Sequence, residues 1–491
     1  MANQFVAKCP LPLTMRSKPP ISAQCSALLW RARNAEGSLD KIMINLITYS
    51  NDCRLRSVIV AGFPRNNSFC YLSSKPWGCR MGSEAQEDTT KARWSESNVS
   101  RHITFPAHGS SVVTCMLLSR NRIITASDDH TMNVYSPFTG ELIHSLEGHE
   151  GGIWTIDTFQ DTLVSGSTDC TVRIWNLESG RCTHVFGGHT STVRCLSIVK
   201  PETVGIPSTT GKMRSPKRPL IVSGSRDHTL RVWKLPKPNE PEYFFGVADE
   251  PTDPKSNPYH CLCLTGHGHA VRALDARART AVSGSYDCTV RVWDVITGEQ
   301  IRVLEGHSQK VYTVVLDENR KQVYSGSMDG TVRIWSLETG LCLHTLTGHT
   351  SIVGLLALSP SYLVSAAADS TLRVWNPSTG ELKHTLAAHT DAITCFEHDD
   401  FSVISGSDGV LKVWNMEHGT VVRDLLSGIT GVWQVIFAGN WVIAASNRHG
   451  SAMLDVWKFG KEVGNLDSAD EFREDDEAWD EDSEENNEER G

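Results

Sequence analysis

The sequence lacks long apolar runs, cysteine pairs with metal-binding spacing, and the short motifs of the common enzyme classes. No apolar run in its 491 residues approaches the ~18 residues that span a membrane, so no membrane partner is expected. Its fourteen cysteines form no C-x-x-C pair, and Cys261 and Cys263 are too close together for the usual zinc spacings. We therefore expect reduced thiols, no metal and no cofactor. The absence of a G-x-S-x-G elbow, a phosphate-binding loop and an H-E-x-x-H motif argues against an enzyme.

The negative charge is concentrated at the carboxyl end of the chain. From Asp467 onward there are fourteen acids and two arginines, a charge of −12 out of the net −10, which leaves +2 on the rest. A body with so little positive charge and no basic stripe does not favour nucleic acid as a partner. We expect the acidic tail, residues 461–491, to be disordered and solvated. The alternative is that it folds back over a basic surface of the body.

A repeated unit runs along most of the chain. Its first histidine recurs at steps of 40 to 42 residues, with one step of 78, at His108, His149, His189, His267, His307, His349 and His389. Each unit continues with alternating β-branched segments between S-G-S and T-G turns, as in Leu163–Gly180, and this pattern indicates strands. An eighth unit begins at Ser427; it lacks the histidine but keeps the pattern.

The period and the ends of the unit resemble the WD repeat, with Gly-His at the front and a Trp-Asp-like pair at the back. Eight units predict an all-β fold, an eight-bladed WD-repeat β-propeller of four-stranded blades over residues 102–460. The segment His102–Phe105 is expected to supply the outer strand that closes the last blade. The long step holds two insertions, 199–219 and 234–260. They contain ten of the twenty prolines, so we expect solvent loops.

The histidine, serine, aspartate and tryptophan of each unit resemble a catalytic set. One such set is His189, Ser223, Asp227 and Trp233. A grouping that recurs through most blades more simply satisfies polar groups by hydrogen bonds within each blade. We therefore interpret these residues as scaffold, and function is expected where the units differ.

Two series of positions differ between units. The first follows the apolar residue that starts the first strand, and it reads Thr114, Trp154, Arg194, Arg272, Tyr312, Gly354, Thr394 and Trp433. The second precedes the turn aspartate, and it reads Asp128, Thr168, Arg226, Tyr286, Met328, Ala368 and Ser407. Strand alternation puts the first series on equivalent sites near one mouth of the channel, and the turns lie on the same rim.

These series place arginine and aromatic residues in neighbouring units. Arg194, Arg226 and Arg272 are expected to converge on one face, beside four aromatic residues, Trp154, Tyr286, Tyr312 and Trp433. Arginine presents a planar fork suited to phosphate, and aromatic side chains hold extended, proline-containing segments. The pattern favours a phosphorylated peptide as ligand. The alternative is that the arginines pair with acidic neighbours in the rim.

Beyond the repeat consensus, Phe105–Gly460 resembles the F-box/WD-repeat substrate receptors of SCF ubiquitin ligases, in their fungal cell-division-control form. The resemblance is carried by segments such as "GHEGGIWTID", "GHSQKVYTVVLD" and "SGITGVWQVIFAGNW". It implies a non-catalytic subunit that recruits phosphorylated proteins, such as cell-cycle regulators, for ubiquitin-dependent degradation. The degron it implies is a phospho-Thr-Pro motif, often with a second phosphate, and ubiquitin transfer is done by partner proteins.

The resemblance assigns ten residues to the phosphopeptide site. They are the arginines that hold phosphate, the aromatic residues that line the Thr-Pro pocket, three residues that border it, and one further basic rim position. In that order they are Arg194, Arg226, Arg272, Trp154, Tyr312, Trp433, Tyr286, Ser191, Thr192 and Arg448.

The amino-terminal segment departs from the family pattern. The family carries a helical F-box ahead of the propeller, and none is recognisable in Met1–Ser100, where Leu39–Ser50 is a poor fragment at best. Residues 1–101 are therefore unassigned, and we expect them to be irregular and poorly ordered. The SCF adaptor and cullin are expected partners only if the full protein contains an F-box. Without one, the chain would bind phosphoproteins and fail to deliver them.

The sequence leaves more than one functional hypothesis open. The rim arginines favour a phosphodegron receptor, whereas the unrecognised F-box favours a WD-repeat scaffold with no ubiquitin-ligase link. A sulfur-regulation F-box/WD receptor shares the architecture but fits the motifs less well. Reduced thiols are typical of a protein of the nucleus or the cytoplasm.

Overall fold

A computed structural model describes residues 93–94, 98–205, 212–245 and 257–460. The predicted acidic tail and most of the amino-terminal segment, including the F-box fragment, lie outside the described residues. In chain order the strands are β1 (Val99–Pro106), β2 (Val113–Ser119), β3 (Arg122–Ser127), β4 (Met132–Tyr135), β5 (Leu142–Leu146), β6 (Ile153–Phe159), β7 (Thr162–Ser167), β8 (Val172–Asn176), β9 (Arg181–Phe186), β10 (Val193–Val199), β11 (Glu202–Gly205), β12 (Lys212–Ser215), β13 (Leu220–Ser225), β14 (Leu230–Lys234), β15 (Tyr243–Phe244), β16 (His260–Leu264), β17 (Val271–Arg277), β18 (Thr280–Ser285), β19 (Val290–Asp294), β20 (Gln300–Leu304), β21 (Val311–Asp317), β22 (Gln322–Ser327), β23 (Val332–Ser336), β24 (Cys342–Leu346), β25 (Val353–Leu358), β26 (Leu363–Ala367), β27 (Leu372–Trp375), β28 (Leu382–Leu386), β29 (Ile393–His398), β30 (Ser402–Ser407), β31 (Val410–Asn415), β32 (Thr420–Ser427), β33 (Gly431–Ala438), β34 (Trp441–Arg448) and β35 (Ser451–Phe459).

These strands form eight blades, and the predicted eight-bladed β-propeller is confirmed. In blades 1 to 7 four antiparallel strands follow the inner-to-outer order, and the inner strands are β2, β6, β10, β17, β21, β25 and β29. Blade 8 has the order β33, β34, β35, β1. Each inner strand contacts the inner strand of the next blade, and β33 contacts β2. The ring is therefore closed around a central channel.

Strand β1 closes the last blade, as predicted from His102–Phe105. It pairs antiparallel with β35, with Ile103 opposite Val456. The strand begins at Val99, and the segment ahead of it also contacts the propeller. Trp94 is buried between blades 7 and 8, and its Nε1 donates a hydrogen bond to Ser402 Oγ at 2.8 Å. The described part of this segment therefore belongs to the propeller.

The core is divided among the interfaces between blades. Eight apolar clusters are found among the described residues, one between each pair of adjacent blades. The repeated tryptophan of one blade packs into the cluster that it shares with the preceding blade, as Trp175 does beside Ile124. Both faces of each sheet are therefore buried, and removal of one blade would expose two neighbours.

The two insertions are more structured than the predicted solvent loops. The first contains the hairpin β11–β12, and the second adds β15 parallel to the outer strand β9 of blade 2. In the second insertion the reason is aromatic packing that the proline content concealed. Tyr259 is buried, and its ring lies 5.4 Å from that of Phe186 and 5.0 Å from that of His184. Part of the second insertion therefore ties blade 3 to blade 2.

The repeated polar residues form hydrogen-bonded networks within the blades, as predicted for scaffold residues. In blade 2, His149 Nδ1 lies 2.7 Å from Asp169 Oδ2 and its Nε2 lies 2.7 Å from Ser165 Oγ. Trp175 Nε1 donates to the same serine oxygen at 2.9 Å. The same network recurs in blades 3 to 6. These networks satisfy the buried polar groups of blades 2 to 6 within each blade.

Two further expectations concern the thiols and the membrane. The nine cysteines in the described part of the chain are all free. Within the same residues, no helix is long and apolar enough to span a membrane.

Acidification is expected to destabilise the propeller through its buried histidines. Burial and the positive charge of Lys412 lower the pKa of His389 to about 4, below the ordinary value near 6.5, and its nitrogens form hydrogen bonds with Ser405 and Ser407. The unfolded chain therefore binds the proton first. The stability that His389 contributes is complete above pH ~6.5 and is lost as pH falls towards its folded pKa. Lowering the pH from 7 to 5 should remove about 2 kcal/mol through this residue.

The measurement is the free energy of unfolding at pH 7 and pH 5 for the wild type and His389→Gln. The variant should lose less stability on acidification than the wild type. His130→Gln, which changes an exposed turn histidine, should keep the wild-type loss. An equal loss in His389→Gln would contradict the assignment.

Candidate functional site

Every inner strand contains a β-bulge at the same place, and the bulged residue is unpaired. In β10 the ladder to β13 skips from Val193 to Cys195, which leaves Arg194 outside the ladder. The same break leaves out the whole first series that was predicted to vary, namely Thr114, Trp154, Arg194, Arg272, Tyr312, Gly354, Thr394 and Trp433. A bulge bends the strand and re-aims a side chain. The eight residues therefore occupy one equivalent site per blade, as strand alternation predicted.

Three of the bulged residues stabilise the contacts between adjacent blades. Thr114 and Thr394 are buried, and their hydroxyls donate to the backbone oxygens of Ile153 and Val432 in the next blade, each at 2.5 Å. Trp433, predicted to line a pocket, is only 3% exposed and belongs to the apolar cluster between blades 8 and 1. It offers little surface to a ligand in this structure.

Arg194 lies on an aromatic surface supplied by the preceding blade. Its Cζ is 4.0 Å from the centroid of the Trp154 ring. Burial and the positive charge of Arg272 lower the pKa of Arg194 to about 10, so it remains protonated at neutral pH. A guanidinium stacked on an indole keeps its in-plane N–H groups free for an acceptor. Arg194 is therefore oriented for an anion.

Arg272 is the most exceptional residue of the site. Its side chain is only 3% exposed, and neither Nη1 nor Nη2 has a hydrogen-bond partner among the described residues. No carboxylate there forms an ion pair with it, and its positive charge lowers the pKa of neighbouring Arg194. A buried charge without a partner is strongly unfavourable. Of the arginines on this face, Arg272 would therefore gain most from contact with an anion.

Arg226 belongs to the turn between β13 and β14, and it is exposed. Its backbone N–H donates to Thr192 O at 2.9 Å, and Ser225 Oγ donates to Ser191 O at 3.0 Å. These bonds hold the turn against the segment that leads into Arg194. Ser191 and Thr192, which were predicted to border the site, are therefore next to both arginines.

Two tyrosines lie beside the arginines. The rings of Tyr286 and Tyr312 are 5.4 Å apart. Burial and the neighbouring Tyr286 raise the pKa of Tyr312, so its hydroxyl remains a donor at neutral pH. Lys310 was not predicted; its Nζ lies 4.5 Å from the centroid of the Tyr286 ring. Its signal in the sequence was weak, because it is a loop lysine two residues ahead of a rim position.

Arg448, the further basic position predicted for the site, forms an ion pair that was not predicted. Its Nη2 donates to Asp455 Oδ2, and the Asp455 side chain is fully buried. The other oxygen of Asp455 accepts a hydrogen bond from Thr104 at 2.7 Å and contacts His102 Nε2 at 3.1 Å. Arg448 therefore neutralises a buried carboxylate of blade 8. This is the kind of acidic pairing that was the alternative for Arg194, Arg226 and Arg272.

Ser407 is a correction to the second series. It was predicted to be equivalent to Met328, the residue before the turn aspartate of blade 5. The structure makes it equivalent to Ser327 instead, because Ser407 is the last residue of β30 and pairs with Ile393, as Ser327 pairs with Val311. The turn of blade 7 has only two residues, Asp408 and Gly409, with Gly409 at φ +89°. A shorter turn left no residue for the predicted position.

We use the name arginine rim for six residues of blades 2 to 5: Arg194, Arg226, Arg272, Trp154, Tyr286 and Tyr312. The rim contains three guanidinium groups with no carboxylate partner among the residues that the structure describes. The aromatic rings of Trp154, Tyr286 and Tyr312 lie beside these guanidinium groups. Such an arrangement binds an oxyanion by charge-assisted hydrogen bonds, with apolar contacts for its neighbours.

Comparisons with known proteins agree with this architecture. The WD domain, G-beta repeat family matches residues 100–136, 140–176, 180–234, 258–294, 298–336, 340–376 and 380–415. Blade 8 beyond its outer strand lies outside these matches. Among solved structures, the computationally designed Ika8 protein is similar, with a TM-score of 0.57 and 28% identity over 72% of this chain and 98% of that one.

Three fungal proteins are also similar over the propeller. WD repeat-containing protein pop2 of Schizosaccharomyces pombe is 47% identical over 73% of this chain and 51% of its own length. Cell division control protein 4 of Candida albicans is 44% identical over 75% and 55%, and that of Saccharomyces cerevisiae is 38% identical over 74% and 48%. The chain spans about half the length of the curated relatives it matches.

Arg272 and Arg448 should respond oppositely to removal of their charge. Arg272→Met leaves no group unpaired and replaces a buried charge by an apolar side chain, so stability should be unchanged or higher. Arg448→Met leaves Asp455 buried without its cation. Because Arg448 is 29% exposed, the loss should be about 2 kcal/mol, below that of a fully buried pair.

The measurement is the free energy of unfolding of each variant by denaturant titration. If Arg272→Met loses as much unfolding free energy as Arg448→Met, the charge of Arg272 is stabilised within the fold. That result would contradict the conclusion that Arg272 lacks a partner for its charge.

Proposed function

The chain belongs to the WD domain, G-beta repeat family, and on that premise we propose that its propeller binds phosphorylated peptides at the arginine rim. The observation that carries the proposal is the buried guanidinium of Arg272, whose two Nη atoms have no partner among the described residues. A ligand that brings an anion to this place provides what the fold does not. The propeller and its relatives indicate a non-catalytic recognition or scaffold protein.

Phosphate fits the charges of this site better than a carboxylate. Arg194 and Arg272 are close enough for each charge to affect the other, and without an anion they repel. A phosphate monoester carries a charge of about −1.5 to −2 at neutral pH and has three acceptor oxygens. It can accept hydrogen bonds from two planar guanidinium groups at once. Exposed Arg226 lies at the same edge and can reach an oxygen that faces solvent.

The neighbouring rings support phosphothreonine followed by proline as the ligand motif. Trp154, Tyr286 and Tyr312 are part-exposed beside the two inner arginines. Flat aromatic surfaces of this kind hold the ring of a proline and the extended backbone around it. The carry-over of the site from the resembling receptors assigns Trp154 and Tyr312 to this role and Tyr286 to the border of the pocket. The Thr-Pro specificity is part of the proposal.

We further propose that the propeller is the substrate receptor of an SCF ubiquitin ligase that controls turnover of phosphorylated regulators such as cell-cycle proteins. The proposal is supported by the likeness to fungal cell division control protein 4. In this role the partners are phosphorylated substrates, and the adaptor and cullin are partners only if the full protein contains an F-box. The place of action is then the nucleus or the cytoplasm. A scaffold with no ligase link is the alternative.

Loss of any rim arginine should weaken phosphate-dependent peptide binding. We expect Arg194→Ala, Arg226→Ala and Arg272→Ala each to reduce the binding free energy by about 1.5–3 kcal/mol, since each removes a charge-assisted contact. Arg272→Ala should lie at the upper end because its contact is the most desolvated. The measurement is calorimetric titration of each variant with a phospho-Thr-Pro peptide and its unphosphorylated twin.

The matched control is Arg302→Ala, which removes the same charge from the outer strand β20 and should leave affinity unchanged. If phosphate makes no difference to the wild type, the arginines do not read phosphate and the scaffold alternative takes over.

The ligase link needs a separate test. An F-box module fused to the amino terminus of the chain should let the propeller direct ubiquitin to a phosphorylated substrate in a reconstituted cullin–RING reaction. Ubiquitin conjugates should be absent with unphosphorylated substrate and with Arg272→Ala. Conjugates that form equally without phosphate would contradict the receptor role.

A further inference from the structure

Three serines of the chain are followed directly by proline, in the pairs Ser136–Pro137, Ser215–Pro216 and Ser359–Pro360. Only the second pair is followed by two basic residues, Lys217 and Arg218. Proline lacks a backbone N–H and has a fixed φ, so an enzyme can distinguish a serine before proline from other serines. Proline-directed protein kinases select this order of a hydroxyl, a proline and then cations. The second pair is therefore a candidate modification site.

The hydroxyls of the other two pairs are engaged in turns of the propeller. Ser136 Oγ accepts hydrogen bonds from the backbone N–H groups of Phe138 and Thr139, each at 3.3 Å. Ser359 is buried, and its Oγ donates to Asp400 Oδ1 at 2.6 Å. A phosphate on either oxygen would disrupt the turn that the hydroxyl holds. These two serines are therefore poor acceptors in the folded chain.

Ser215 lies in a different setting. It is the last residue of β12, it is half-buried, and its hydroxyl has no hydrogen-bond partner among the described residues. Lys217, two residues further on, is exposed. The hairpin β11–β12 is inserted between Val199 and Leu220, which pair at the end of blade 3 that is remote from Arg194. Ser215 is therefore on the face opposite the arginine rim.

The surroundings of Ser215 can accept a phosphate. Its partner across the hairpin is Glu202, whose carboxylate accepts a hydrogen bond from Arg277 Nε of blade 4 at 2.8 Å. Side chains opposite each other in an antiparallel pair are neighbours on one face. A phosphate on Ser215 therefore lies beside one carboxylate and the cation that neutralises it. Arg214 and Lys217 add two positive charges close by in the sequence, so the local charge favours the phosphate.

Arg218 is already paired within the fold. Its Nη1 and Nη2 donate to the two carboxylate oxygens of Glu240 at 3.0 and 2.9 Å, and Nη2 also donates to Leu235 O at 2.5 Å. Glu240 belongs to the second insertion. A kinase that reads the third residue after the serine must therefore compete with Glu240 for this guanidinium.

We propose that Ser215 is a phosphorylation site for a kinase that requires a following proline and basic residues, and that the Arg218–Glu240 ion pair limits the rate of its modification. In the reaction, Ser215 Oγ bonds to the γ-phosphorus of ATP and the bond from that phosphorus to the bridging oxygen breaks, so that ADP leaves with the electron pair. The hydroxyl proton passes to the general base of the kinase. The site does not depend on the phosphopeptide function, because it lies on the other face.

The test is phosphorylation of the full, folded chain by a purified cyclin-dependent kinase with MgATP. Mass spectrometry of the digested product gives the initial rate of phosphate incorporation at each Ser-Pro pair. We expect the rate at Ser215 to exceed the rates at Ser136 and Ser359 by about tenfold or more. Ser215→Ala should remove this signal and leave the other two rates unchanged.

Charge variants test the two parts of the recognition. Lys217→Gln with Arg218→Gln should lower the rate at the serine about fivefold, because the cations that the kinase reads are gone. Glu240→Gln should raise the rate about threefold, because it releases Arg218 and leaves the motif intact. Glu242→Gln is the matched control, since this acid of the same insertion pairs with Arg181 instead, and it should keep the wild-type rate. The thermal midpoint of each variant verifies the fold.

Three outcomes would overturn the proposal. If no phosphate appears on Ser215 in the folded chain, the site is refuted. If the three Ser-Pro pairs react equally, the free hydroxyl and the cations do not select the site. If Glu240→Gln reacts at the wild-type rate, the ion pair does not limit the modification.

Discussion

The β-bulge at the start of each inner strand is the constraint on which the site depends. In a regular ladder, a residue at this place would pair with a residue of the adjacent strand, and its side chain would point to one face of the sheet. The break in register between residues such as Val193 and Cys195 releases one residue per blade. Its side chain is then free to point elsewhere. In blades 1 and 7 that freedom is used to bond the next blade through a threonine, and in blades 3 and 4 it presents arginine. Ring closure and ligand binding thus share one geometric device.

The arginines show how context decides the role of one residue type. Arg448 has a buried carboxylate, Asp455, and so it contributes to the stability of blade 8. Arg272 is even less exposed and has no such partner in the described part of the chain. A site that keeps a charge desolvated and unpaired is unfavourable for folding, and it gains binding energy when an anion arrives. The scaffold that tolerates this is held by polar networks such as that of His149, Ser165 and Asp169.

Sequence reasoning predicted the propeller because the repeat is read from period and pattern, which depend on local strand geometry. It also predicted that Arg194 and Arg272 are equivalent, since the units align without gaps there. It missed what depends on contacts between distant segments. The pairing of Arg448 with Asp455 requires the register of β34 on β35, and the packing of Tyr259 on Phe186 requires two blades in place. Ser407 was misplaced because a two-residue turn replaced a longer one.

The most direct test is a crystal structure of the chain bound to a phospho-Thr-Pro peptide. The account predicts that phosphate oxygens lie within about 3 Å of Arg272 Nη1 and Nη2, with Arg194 still stacked on Trp154. The residue after the phosphothreonine should contact the tyrosines of the rim. A phosphate bound elsewhere, with both Nη atoms of Arg272 still without an acceptor, would contradict the claim that this buried guanidinium is the anion site.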